Sequence, residues 1–146
     1  MQIEIKIDSS CTEPKLILLT DKITAELQDL IKRLSEEMPQ MLCGFKEETV
    51  EIIKQEELIR VYAAAGKVLA VTSQGEYLLK LRLYEVEKRL EKSSFVRISN
   101  SEIINLKNVK SFDLSFVGSI CVTLSNGTVT YVSRRYVTRI KQVLGI

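Results

Sequence analysis

Histidine is absent from the 146 residues, so the commonest general base and metal ligand is missing. No GxSxG, P-loop or GxGxxG motif occurs either. The residues that stand out sit in three short polar stretches: Gly66-Lys67, Ser99-Asn100-Ser101 and Ser133-Arg134-Arg135-Tyr136. Each interrupts an apolar pattern where a strand should end. Arginine pairs bidentately with guanine O6 and N7, and asparagine with adenine N6 and N7. Serine hydroxyls and backbone N–H groups reach phosphates. The third stretch also opens a helix, whose N-terminus favours an anion. Together they predict loops that contact DNA. Singly each has a plainer reading, since asparagine is a common turn residue and an arginine pair is often just solvated.

The charge distribution agrees with a polyanion partner. Residues 1–57 carry 7 Lys and Arg against 13 Asp and Glu, a net of −6. Residues 58–146 carry 14 against 6, a net of +8, so the overall +2 hides an acidic front and a basic back. Cys11, Cys43 and Cys121 are odd in number and far apart, with no CxxC. A zinc site or disulfide framework is not expected, nor any cofactor; the thiols are read as small apolar fillers in a reducing cytosol. The apolar runs are too short to span a membrane, and Met1 to Ile7 does not read as a signal peptide. The expected location is cytoplasmic.

The elements that must hold the three loops are mostly strands. Residues 2–8 alternate, Ile3, Ile5 and Ile7 against Glu4, Lys6 and Asp8, which predicts a half-buried strand. Ser9 to Pro14 reads as a turn and Lys15 to Leu19 as a second short strand. Asp21 to Met38 is an amphipathic helix with Ile23, Leu27, Leu30, Ile31, Leu34 and Met38 on one face, Thr20 as its cap and Pro39 as its stop. Residues 39–48 read as a junction. Strands follow at Val50–Ile53, Glu56–Ala63, Val68–Thr72 and Glu76–Lys80, with tight turns at 64–67 and 73–75. Leu83–Leu90 is helical. Strands resume at Phe95–Ser99, Glu102–Asn105, Val109–Leu114, Ile120–Leu124 and Thr128–Ser133, and Arg134–Leu144 is a closing helix. Asn126-Gly127 predicts a type I′ hairpin turn.

From Leu42 to Ile146 the ordered set of residues resembles the LytTR DNA-binding domain of bacterial transcription regulators. The matching positions include Leu42-Cys43-Gly44-Phe45, Tyr62 with Gly66-Lys67, and Leu83-x-x-Val86-Glu87-x-x-Leu90. They continue with Phe95-x-Arg97-x-x-x-Ser101-x-Ile103-Ile104-Asn105, Ser111-Phe112, Leu124-Ser125-Asn126-Gly127 and Val132-Ser133-Arg134-Arg135-Tyr136. The resemblance implies a mostly β fold of short antiparallel sheets with one or two short helices. Here a small strand–strand–helix region (1–40) would precede the domain (41–146). It also implies loops that enter successive grooves without a recognition helix. Asn100 and Arg135 match the family's base-contacting asparagine and arginine. The first contact loop maps near Lys67, where some members carry histidine. Lys67 is therefore a base contact in the family's pattern, or a phosphate contact where histidine is missing. Ser101, Ser133, Arg134 and Tyr136 map to backbone-contacting positions. Arg97 and Asn105 belong to the motif too, and are read as an inward salt bridge and a turn amide.

The expectation is a sequence-specific, double-stranded-DNA-binding transcription regulator without enzymatic activity, acting as a homodimer on repeated half-sites. Arg135 would read guanine and Asn100 adenine or a nearby base edge, with Lys107 added to the phosphate contacts. The residues ahead of Leu42 are too few for a phosphoryl-accepting receiver, and similar short regulators are paired with a restraining membrane protein. Helix 21–38 is then the candidate for dimerisation or regulation. The rival reading is a protein-interaction module that uses that helix to sequester a partner, its DNA face degenerate.

Overall fold

A computed structural model describes residues 1–37 and 41–146, which divide into two compact units, 1–35 and 36–146. In the first, helix α1 spans Ala25–Glu37. It starts later than Asp21, and its cap is Thr24: the Thr24 Oγ1 accepts the Leu27 N–H at 3.3 Å. Thr20 instead uses its hydroxyl in a local turn, donating to the Lys22 carbonyl at 2.7 Å. Met38 and Pro39, the expected end and stop, lie outside the described residues. The turn after Asp8 forms, with Ser10 donating both its N–H and its hydroxyl to the Asp8 carboxylate. The strands expected at 2–8 and 15–19 do not form. A strand needs a neighbouring edge for its N–H and C=O groups and an apolar layer for its buried face. This short segment offers itself neither.

The second unit holds ten strands in two antiparallel sheets. The larger runs in the order β2-β1-β5-β4-β3-β7-β6. Its strands are β1 (Leu42–Lys46), β2 (Thr49–Ile53), β3 (Leu58–Ala64), β4 (Lys67–Thr72), β5 (Gly75–Leu79), β6 (Phe95–Ser99) and β7 (Glu102–Asn105). The smaller is β10-β9-β8, from β8 (Val109–Asp113), β9 (Ile120–Leu124) and β10 (Val129–Val132). Helix α2 (Leu83–Arg89) and helix α3 (Arg134–Leu144) complete the unit. The mostly β, antiparallel architecture is thus as expected for this region. Among the described residues no helix is long and apolar enough to cross a membrane.

Two cores explain the layering. Val61 pairs with Ala70 and Ile103, and Ala70 with Tyr77, so one face of the large sheet presents a continuous row. Leu83, Val86 and Leu90 of the α2 region join that cluster. On the other core, Ile104, Val96 and Ile98 meet Ile120, Val122 and Leu124 of the small sheet and Ile140 of α3. Ile103 and Ile104 are adjacent, point to opposite faces, and are both buried. That is why β7 carries two consecutive isoleucines rather than an alternation.

Three local expectations are corrected. Strand β1 lies inside the stretch read as a junction. Gly44 hides it: glycine weakens a strand signal, yet a Cβ there would stand 2.5 Å from Ile53 Cδ1, so the sheet needs the bare backbone. The type I′ turn is at Ala65-Gly66, both with positive φ, between the paired Ala64 and Lys67. At 125–127 only Gly127 has positive φ, and the Leu124 N–H donates to the Thr128 carbonyl across a three-residue loop. Finally, the cysteines are not buried fillers. Cys11 and Cys43 are exposed and Cys121 is half-buried. Cys43 simply occupies the opposite face of β1 from buried Leu42 and Gly44.

Candidate nucleic-acid interface

Register places the three polar stretches at one end of the large sheet. Strand β3 ends there at Ala64, opposite Lys67. Antiparallel β7 starts there, because Tyr62 pairs with Glu102. Strand β6 therefore ends there, and the 99–101 turn sits beside the β3–β4 turn. The Ala63 N–H donates to the Ser101 carbonyl at 2.8 Å, fixing the two turns together. The start of α3 joins them: the Ser133 N–H donates to the Ile98 carbonyl at 2.9 Å.

Within this end, the second and third stretches touch directly. The Tyr136 hydroxyl donates to Asn100 Oδ1 at 3.1 Å. That bond uses one of the oxygen's two lone pairs; an amide with one lone pair and two N–H donors still matches the adenine N6/N7 edge. Asn100, Ser101, Lys67, Arg134 and Arg135 are exposed, and Ser133 and Tyr136 half-buried. Replacing Tyr136 with phenylalanine should release Asn100 and weaken binding to the preferred site by about 3- to 10-fold, the worth of one hydrogen bond. Affinity for random DNA, read by the same anisotropy titration, should fall by less, since there only the backbone contact of Tyr136 is lost.

Arg97 and Asn105 do structural work. The Arg97 Nε–H donates to the Ser99 carbonyl at 2.8 Å, Nη2 to the Asn100 carbonyl at 2.6 Å, and Nη1 to the Glu87 carboxylate at 3.2 Å. It is the inward ion pair anticipated, and it also clamps the 99–101 turn. Asn105 is buried; its amide donates to the Leu58 carbonyl at 2.8 Å and accepts from the Lys107 N–H at 3.0 Å.

Lys107 is not brought to the loop end. It follows Asn105 at the opposite end of β7, beside a cleft lined by Met41, Ile53 and Phe95. Two cations missed in the sequence do reach the loop end. Leu79 pairs with Val68, so Lys80 and Arg82 flank Lys67. Their signal was a Lys-x-Arg at a strand-to-helix junction, the same context as Ser133-Arg134-Arg135. Lys80 Nζ lies 4.3 Å from the Phe45 ring centroid, held by a cation–π contact.

The electrostatics of this end are lopsided. Arg134 and Arg135 occupy the first turn of α3, which has no acidic residue. Cations there oppose the helix dipole, an arrangement that a bound anion relieves. The nearby carboxylates are engaged. Glu87 pairs with Arg97, Glu102 with Arg60, and Glu85 accepts the Arg82 N–H. Behind the loops, desolvation pushes the Tyr62 phenol above its ordinary range, helped by its hydrogen bond to Glu76. The Ser115 hydroxyl and N–H hold the Asp113 carboxyl below its usual range, keeping the β8–β9 loop shaped.

Cationic and amide-bearing strand-end loops, carried on two antiparallel sheets, define a β-framed nucleic-acid-binding module. Residues 48–145 match the family model described as the LytTr DNA-binding domain, and the chain belongs to that family. It is similar to a Staphylococcus aureus (strain NCTC 8325) protein named as an HTH-type transcriptional regulator. The two are 33% identical over 147 residues, covering 100% of this chain and 99% of the relative. A counterpart from S. aureus strain MRSA252, with the same description, is 32% identical over the same coverage. Among solved structures, the LytTr DNA-binding domain of a methyl-accepting/DNA response regulator from Bacillus cereus superposes with a TM-score of 0.70. That likeness, at 21% identity over 73% of this chain and 97% of the other, bears on the fold. In this chain each of α1, α2 and α3 is separated from the next by strands, so no two consecutive helices form a helix-turn-helix among the described residues.

Proposed function

We propose that the protein regulates transcription by binding specific double-stranded DNA through the loop end of its large sheet, two chains acting on repeated half-sites. The observation that carries this is the convergence of Asn100 with Arg134 and Arg135 through the Tyr136 bond. A base-reading amide and a base-reading guanidinium then share one rigid platform, with Lys67, Lys80 and Arg82 flanking it. Asn100 and Arg135 read base edges, and Lys67 a base edge or phosphate. Ser101, Ser133, Arg134 and Tyr136 position the backbone. Lys107, at the far end, is left out of this contact set. A family of DNA-binding domains and relatives named as transcriptional regulators support the reading.

Selection of genomic fragments bound by the purified chain tests it. The expected result is enrichment of one motif, repeated at a fixed spacing near promoters, with affinity that falls steeply as salt rises. Enrichment no better than random fragments would remove the proposal.

A further inference from the structure

The loop between β8 and β9 puts apolar side chains beside the cationic end of the molecule. Leu114, Phe116 and Val117 on the loop, and Tyr131 on β10, are 50%, 48%, 97% and 54% exposed. Phe116 packs edge-on against Tyr131, with ring centroids 6.1 Å apart, so the loop tip and β10 make one knuckle rather than scattered sites. Holding such a cluster in water is unfavourable, and a partner that covers it gains by doing so.

Register fixes where the knuckle stands. Val132 pairs with Ile120, so the loop that ends at Ser119 meets the chain as it enters Ser133-Arg134-Arg135. The Ser119 hydroxyl donates to the Val132 carbonyl at 3.1 Å. Gly118 has a φ of +71°, and a Cβ on it would stand 3.3 Å from Arg134 Nε, so the Arg134 side chain lies against bare backbone. The loop is shaped from within, because Ser115 donates both its N–H and its hydroxyl to the Asp113 carboxylate at the loop's base. A preformed apolar tip therefore adjoins the guanidinium groups assigned to DNA.

The polar residues of that end leave one feature of a base pair unread. Arginine and asparagine recognise base edges by hydrogen bonds, but thymine also carries a C5 methyl group into the major groove, and an apolar side chain is what covers it. We propose that Val117, braced by Phe116, covers the C5 methyl group of a thymine close to the guanine read by Arg135. The β8–β9 loop is then a further specificity element, one that selects by apolar contact where its neighbours select by hydrogen bonding. This rests on the DNA reading above and names one more feature of the site that it recognises.

Deoxyuridine in place of thymine removes the methyl group and keeps every hydrogen bond, so it isolates the contact. On the selected duplex, thymines are replaced one position at a time and binding is read by anisotropy titration. The wild type should weaken by roughly 3- to 5-fold at one position of the half-site, the worth of one buried methyl group. Val117→Ser should lose about as much on the thymine duplex and nothing further on the deoxyuridine duplex. Val117→Ile should keep the wild-type sensitivity. Val117 is almost wholly exposed, so neither change disturbs the fold. A wild type indifferent to every replacement overturns the proposal. So does a Val117→Ser chain as sensitive as wild type, and the knuckle would then face a protein. Failure to select any duplex would remove the DNA reading as well, whereas selection without a methyl effect removes only this proposal.

Discussion

Replacing Arg135 with alanine should cost roughly 1–3 kcal/mol of discrimination, about 5- to 150-fold between the preferred site and random DNA. Replacing its neighbour Arg134 should weaken both alike and lower the salt slope by about 1. Both guanidinium groups are exposed in the first turn of α3, and the contrast comes from what each would touch. A guanidinium fork on guanine O6 and N7 is lost only where the guanine is. A phosphate contact is lost on every sequence. Anisotropy titrations of the wild type and the two variants, on selected and shuffled duplexes at several salt concentrations, separate the roles. Equal losses on both duplexes for Arg135→Ala would strip that residue of its reading role. A sequence-selective loss for Arg134→Ala would exchange the two assignments.

Much of this platform was legible because its strands are short, apolar and separated by polar breaks. Phe95–Ser99, Glu102–Asn105, Ile120–Leu124 and Arg134–Leu144 fall where alternation, paired apolar runs and helical spacing put them. What failed did so for physical reasons. Gly44 lowers the strand signal of β1 because two neighbouring side chains fill its Cβ position. Asn126-Gly127 suggests a two-residue turn, but only Gly127 takes positive φ, whereas Ala65 accepts it in the turn before Lys67. Residues 2–8 alternate as a strand should, yet alternation reports a face to bury and says nothing about where the partner edge is. For the site, strand count decides which end a residue reaches. Strand β7 carries the chain across the sheet, so Lys107 is remote although it follows Ser101 closely in sequence. The β4–β5 hairpin carries the chain away and back, so Lys80 and Arg82 return to Lys67. Charge type alone could not separate these cases; counting crossings could.

Glu102→Ala is expected to damage the fold and, through it, the interface. Glu102 is buried and opens β7 immediately after Ser101. One carboxylate oxygen accepts from Arg60 Nη1 on β3 at 2.9 Å, and the other from the Thr130 hydroxyl on β10 at 2.6 Å. It is thus a polar link between the large sheet and the small one. Removing it leaves the Arg60 guanidinium, stacked 4.1 Å from the Tyr62 ring centroid, without its counter-charge. The buried Arg60 Nε has no hydrogen-bond partner, so the guanidinium depends on that carboxylate. Stripping one partner from such a pair costs on the order of 3 kcal/mol, tempered here by the access Arg60 keeps to water. Glu102→Gln retains the acceptor for Arg60 and should lose about half as much. Urea unfolding measures both. Because Ser101 is bonded to Ala63 and adjoins Glu102, the loosened strand should also let Asn100 drift from Arg135. Folded Glu102→Ala should then lose affinity for the preferred duplex more than for a shuffled one. An unchanged unfolding midpoint would show that the apolar contacts of Ile104, Val122 and Val132 join the sheets without help from this carboxylate.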